Sequence, residues 1–172
     1  MKETRHKLFD VAVIGGGPAG MMAAGRAAER GFAVVLLEKN ASLGKKLLIT
    51  GGGRCNVTNN KEVRTMLGKY KGNDKFLFST FAQFNTEDAL NFFHSRGMAT
   101  KEENEGRIFP ASNKAVSVWN VLVEYIKKGD VQVRTEATVT DLAVTDKQFE
   151  VLLKDGSTVF AKSCIIATGG LS

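Results

Sequence analysis

Residues 9–38 read FDVAVIGGGPAGMMAAGRAAERGFAVVLLE. Phe9 to Ile14 is apolar, rich in β-branched residues and stopped by glycines, which predicts a buried strand. Pro18 to Arg30 is rich in Ala and Met, opens with proline in its first turn and is followed by Gly31, which predicts a helix. Phe32 to Glu38 is again a continuous apolar run and reads as a second buried strand. Strand, helix and strand within 30 residues make a β-α-β unit, whose two strands run parallel.

The turn between the first strand and the helix fits G-x-G-x-x-G at Gly15, Gly17 and Gly20. That pattern is weak alone and strong between a strand and a helix. Gly15 suits the tight turn, Gly17 lets the backbone approach a pyrophosphate, and Gly20 lets helix and strand pack closely. The free N–H groups at the helix N-terminus then face an anion. Glu38 ends the second strand 18 residues after Gly20 and can accept hydrogen bonds from both hydroxyls of a ribose. A carboxylate there repels a 2′-phosphate, which disfavours NADP at this site. The competing reading is a fortuitous glycine turn with a solvated Glu38. It requires four independent features to coincide.

Beyond Glu38 the chain departs from a minimal NAD domain, in which a third β-α unit follows quickly. A glycine-rich stretch comes first, LLITGGGRCNVTNN at 47–60. One helix is predicted near Asp74–Phe84 and another with Asn85 or Thr86 as cap and Gly97 as stop. KEENEGR (101–107) reads as a charged loop leading to Ile108-Phe109-Pro110, and Ser112 or Asn113 caps a helix running to about Lys128. From Val131 the period changes to two: antiparallel strands are expected near 131–142, 148–154 and 157–161, with Asp155-Gly156 as hairpin turn. The apolar stretch Cys164 to Ala167 should return to the parallel sheet. The expected class is α/β: a Rossmann-like nucleotide-binding domain with a parallel sheet, a helical insertion and an antiparallel β-meander. Its parts are a βαβ core over 8–60, a helical segment over 61–129, and the meander with return strand over 130–170.

Composition agrees with one folded domain. The 172 residues are 43% apolar and 24% charged, and Pro is only 2, which argues against a disordered chain. Net charge is +6, divided as +8 over residues 1–75 and −2 over 76–172. The glycine motifs lie in the basic half, so an anionic ligand fits there; nucleic acid and a plain solvated surface are the other readings. No apolar run reaches the roughly 18 residues of a membrane helix. The basic-then-apolar head imitates a signal peptide only over about six residues before the glycines, and His6 belongs to that frayed head. Cys55 and Cys164 form no CxxC pair, against a disulfide scaffold, a zinc site or a paired-thiol centre. The expected location is cytoplasmic.

FDVAVIGGGPAG, the glutamate ending the second strand and the late IIATGG resemble the FAD domain of the glutathione-reductase-like flavoproteins. LGKKLLITGGGRCNVTN (43–59) and GRIFPASNKA (106–115) are similar to a narrower family, the BaiN/RdsA-like flavoproteins, also called YhiN-like NAD(P)/FAD-dependent oxidoreductases. The resemblance covers nearly the whole chain and implies bound FAD. Gly15, Gly17, Pro18, Ala19 and Gly20 match the family's pyrophosphate loop, and Glu38 its adenosine-ribose acceptor. Val139 is similar to the residue whose backbone meets the adenine, and Thr168 and Gly169 match a turn near the cofactor. Members are about twice this length or more, with a substrate domain and a closing Gly-Asp segment beyond the ATGG turn. The chain is therefore expected to be an N-terminal portion, with both of those parts absent from it.

Lys39, Lys45 and Lys46 offer charge to cofactor phosphates or are simply solvated. Gly52 and Gly53 let the backbone lie against a cofactor. Arg54 suits a phosphate, the flavin pyrimidine edge or a substrate carboxylate, and Asn56 suits a flavin hydrogen bond or a turn cap. Cys55 reads as a packing residue near the flavin, ahead of a thiolate favoured by Arg54. His94 suits the C-terminal end of its helix. No catalytic residue and no metal ligand is assigned. The expected function is that of a flavin-dependent oxidoreductase using hydride transfer through flavin N5, with NAD(P)H as electron donor and a small molecule as substrate. The alternatives are an NAD-dependent dehydrogenase domain and a flavoprotein acting on tRNA; nucleic acid is the less favoured partner.

Overall fold

The computed structural model describes residues 7–70, 72, 74–145 and 147–170, and His6 lies outside them. In chain order the elements are β1 (Leu8–Ile14), α1 (Pro18–Glu29), β2 (Val34–Leu37), α2 (Lys45–Ile49), β3 (Thr58–Asn59), α3 (Val63–Leu67), α4 (Asp74–Gln83), α5 (Thr86–His94), β4 (Thr100–Glu103), β5 (Arg107–Pro110), α6 (Ala115–Lys128), β6 (Gln132–Arg134), β7 (Val139–Val144), β8 (Phe149–Leu153) and β9 (Thr158–Ile166). They form two compact units, Met1–Lys46 with Leu122–Ser172, and Leu47–Val121.

The first unit is built on a six-stranded sheet in the order β6-β2-β1-β9-β8-β7. β1 pairs in parallel with β2 and β9, and β2 in parallel with β6. Ala12, Val13, Val35 and Leu36 have no solvent exposure. Burial on both faces is what makes these strands read as unbroken apolar runs. α1 packs against β1 and β2. Gly25 of α1 lies against the Tyr125 ring, and the Tyr125 hydroxyl donates to Glu29 at 3.0 Å.

Two strand expectations need correction. The segment 131–142 is not one antiparallel strand. Gln132–Arg134 joins the parallel sheet beside β2 as its third member, and a separate strand begins at Val139. Three residues are too few to carry a period. The segments near 157–161 and 164–167 are one strand, β9, which pairs antiparallel with β8 near its start and parallel with β1 from Phe160 to Ile166. β9 therefore joins the meander to the parallel sheet.

The second unit contains α3 to α5 and a three-stranded antiparallel sheet in the order β3-β5-β4. This sheet corrects the reading of KEENEGR as a loop and adds strands to the helical segment 61–129. Thr100–Glu103 pairs with Arg107–Pro110 across a tight turn in which Glu105 has φ 65° and Gly106 has φ 74°. The charges that disguised the hairpin are locally matched. Lys101 lies 3.1 Å from Glu103, and the Asn60 amide donates to Glu102 at 2.9 Å. Asn85 caps α5 in a reciprocal box with Asp88. His94, the last residue of α5, meets the Thr100 hydroxyl at 2.7 Å. Among the described residues no helix is long and apolar enough to cross a membrane.

Candidate functional site

The first unit builds a cradle at the end of β1. Gly15 sits at φ 109°, and a Cβ there would stand 2.4 Å from the Ala167 carbonyl oxygen, just past β9. A Cβ on Gly20 would stand 1.8 Å from the Gly15 carbonyl oxygen. These two glycines are therefore demanded by the protein itself. Gly17 differs: its φ is −75°, which any residue adopts, and a Cβ there would meet no described protein atom within 4 Å. It is the N-cap of α1, no side chain caps that end, and Pro18 occupies the first turn. Pro18 and Ala19 are exposed. The open space before Gly17 lies where the helix end presents its N–H groups and its partial positive charge.

Glu38 is buried, only 7% exposed, and its carboxylate is held from three sides. Oε2 accepts from the Gly16 N–H at 2.7 Å, and Oε1 accepts from the Asn40 N–H at 2.8 Å and the Asn40 side-chain amide at 2.6 Å. A carboxylate oxygen accepts more than one bond, so a ribose hydroxyl can still be received. The backbone of Glu38 is zipped to the end of β6 and the residues that follow it: Glu38 N–H donates to the Arg134 carbonyl, and Ala137 N–H donates to the Glu38 carbonyl, both at 2.9 Å. Val139 opens β7 two residues later, half-buried against the apolar core. Thr168 and exposed Gly169, at φ 80°, follow the Ala167 N–H bond to the Ile14 carbonyl of 2.8 Å. Gly15, Gly17, Gly20, Glu38 and the 167–169 turn are thus tied together in one unit. Lys39, Lys45 and Lys46 lie on its exposed surface.

Two residues of this cradle were not singled out from sequence. Gly16 occupies the x of G-x-G, yet a Cβ there would stand 2.4 Å from Leu43 Cδ2 and 2.9 Å from Glu38 Oε2. Its N–H holds Glu38, and its carbonyl accepts from Gly44 N–H at 2.9 Å. The third consecutive glycine was the available signal. Asn40 gave none, since an Asn after a strand is an ordinary turn residue.

In the second unit the glycine stretch is a turn with Gly51, Gly52 and Gly53 at φ 56°, 65° and 82°. Arg54 is an ion-pair partner of Glu103, donates to Asn113 Oδ1 at 2.7 Å, and lies 4.3 Å from the Phe109 ring centroid. The Arg54 guanidinium, with Lys101, holds the Glu103 carboxyl below its usual range. The Asn56 amide, in its satisfied orientation, donates to the carbonyls of Thr58 at 2.8 Å and Ile108 at 3.1 Å. Cys55 is buried at φ 60°, and burial pushes its thiol up. This corrects the idea of a thiolate favoured by Arg54, whose charge is matched by Glu103. Iodoacetamide near neutral pH is therefore expected to leave Cys55 unmodified in the native whole protein and to modify it after denaturation, by peptide mass mapping. Rapid native modification would contradict the buried thiol. Cys164 is half-buried beside the core of the first unit.

The cradle has the features a dinucleotide with a pyrophosphate requires: an open Gly17, an uncapped helix end, and a fixed carboxylate just past β2. The chain is 34% identical over 165 residues to a ribosomal RNA dihydrouridine synthase of Escherichia coli (strain K12), covering 95% of this chain and 40% of that protein. It is 36% identical over 163 residues to a 3-dehydro-bile acid delta(4,6)-reductase of Clostridium scindens, covering 93% and 39%. The chain thus spans about two fifths of the length of these curated relatives. Its fold matches a 3-ketosteroid-delta4-(5alpha)-dehydrogenase from Rhodococcus jostii RHA1, with TM-score 0.71 at 16% identity over 98% of this chain and 47% of that one. Residues 9–172 match the model of one family, and the chain belongs to it: the HI0933-like protein Rossmann domain.

Proposed function

We propose that this FAD-binding domain of a flavin-dependent oxidoreductase takes electrons from NAD(P)H and passes them to an activated C=C or C=O of its substrate. The observation that carries the FAD-binding part of this reading is the open space at Gly17 in front of the uncapped helix α1. The N–H groups of that first turn hold the pyrophosphate, with Gly17 admitting it against the backbone. Glu38, fixed by Gly16 and Asn40, receives the adenosine ribose, and the Val139 backbone meets the adenine. Thr168 and Gly169 border the same cradle. When bound, FAD supplies two-electron chemistry, with N5 taking and giving hydride.

The test is anaerobic mixing of the whole protein with NADH or NADPH. The expected outcome is bleaching of the visible flavin band by at least one of them. A flavin that neither nucleotide reduces, while dithionite does, would remove NAD(P)H from the reading. Stabilisation by NAD without any flavin spectrum would favour a plain NAD-dependent dehydrogenase.

A second reading concerns the substrate. One relative is named for acting on a bile acid and another for making dihydrouridine in ribosomal RNA. Both names denote reduction. The +8 charge of residues 1–75 suits a polyanion such as RNA as it suits the phosphates of FAD.

A further inference from the structure

The second unit leaves aromatic rings on its surface. Phe76 is 80% exposed, Phe78 60% and Tyr70 47%. α4, DKFLFSTFAQ, is half apolar, and two of its three phenylalanines stand in solvent rather than in the core. Phe76 and Phe78 are two positions apart, about 200° around the helix, so one flat partner surface cannot cover both. The neighbouring cations Arg64, Lys69 and Lys75 are exposed. Residues 61–84 hold five Lys/Arg against two Asp/Glu.

Exposed rings interleaved with cations are what a single-stranded nucleic acid uses. Bases stack on rings, phosphates meet the cations, and a flexible strand follows a helix round in a way that a flat surface cannot. We propose that α4 and the segment before it bind single-stranded RNA, with bases stacked on Tyr70, Phe76 and Phe78 and phosphates on Arg64, Lys69 and Lys75. The proposal rests on the reading of the substrate as RNA and adds the surface that takes it.

The test is fluorescence anisotropy of a labelled oligouridine with the whole flavoprotein. The Phe76→Ser/Phe78→Ser double variant is expected to bind at least about thirtyfold more weakly, with an unchanged flavin spectrum and melting temperature. Lys69→Ala/Lys75→Ala is expected to flatten the slope of log affinity against log salt by about 0.7 per charge removed. Wild-type affinity in both variants would overturn the assignment of the surface while leaving RNA as substrate. No RNA binding by a protein that holds FAD would overturn the proposal and leave the flavin reading intact. Loss of phosphatidylserine-vesicle binding, or a lower melting temperature, in the double variant without loss of RNA binding would mean that lipid or the rest of the chain covers the rings.

Discussion

Gly17→Val is expected to weaken FAD binding by at least about a hundredfold while leaving the melting temperature of the apoprotein unchanged within a few degrees. The two effects separate because of where the side chain would go. A Cβ on Gly17 meets no described protein atom within 4 Å, and φ −75° suits valine as well as glycine. The helix loses only a preference at its N-cap, about 1 kcal/mol or less. The isopropyl group instead fills the space into which the pyrophosphate must come. Hydrogen bonds to a charged group are worth about 1.5–3 kcal/mol each. Losing two weakens binding by roughly a hundredfold to ten-thousandfold. Calorimetric titration of the apoprotein with FAD measures this directly. Near-wild-type affinity would remove the helix end from the cofactor site. Gly20→Val is the contrasting case. Its Cβ would stand 1.8 Å from a backbone oxygen, so the fold itself must give way.

The second large effect belongs to Glu38→Gln, a substitution that keeps size and shape. Three groups face the carboxylate, and all are donors: the N–H of Gly16, the N–H of Asn40 and the Asn40 side-chain amide. The new amide NH₂ must point at one of these donors, and a buried N–H loses its acceptor. An unsatisfied buried donor costs about 1–3 kcal/mol, and the lost charge weakens the remaining bonds. A total of about 3 kcal/mol is expected, which lowers the melting temperature by roughly 6–12 °C for a domain of this size. FAD affinity should fall at least about tenfold as well, since the ribose loses a charged acceptor. Thermal unfolding of the apoprotein reads the first effect and FAD titration the second. An unchanged melting temperature would show that the network around Glu38 contributes nothing to the fold.

These two residues also show what was legible in the sequence. β1, α1 and β2 could be read because strands buried on both faces are continuous apolar runs, and because the glycine spacing has a steric meaning. β6 could not, since Gln132–Arg134 is too short to carry a period and borrows its place from β2. The β4–β5 hairpin was hidden by charges that are matched across the unit, as Lys101 with Glu103 and Glu102 with Asn60. In the cradle, Glu38 was visible as a carboxylate at a strand end, but its clamp was not. Gly16 stands at a position the motif leaves free, and Asn40 acts through a bond made only once the chain has turned. The stretch GGGRCN was read for its freedom and its donors. The partners of Arg54, Glu103 and Asn113, lie 49 and 59 residues away, and nothing local pointed to them.

The central claim is that the cradle of the first unit is an FAD site. It is tested most directly by identifying what the purified whole protein carries. Heat release of bound cofactor followed by chromatography and absorbance between 350 and 500 nm is expected to give FAD, in stoichiometric amount after reconstitution, and far less from the Gly17→Val variant. A well-folded protein that takes up NAD or no nucleotide, and releases no flavin after incubation with excess FAD, would contradict the account.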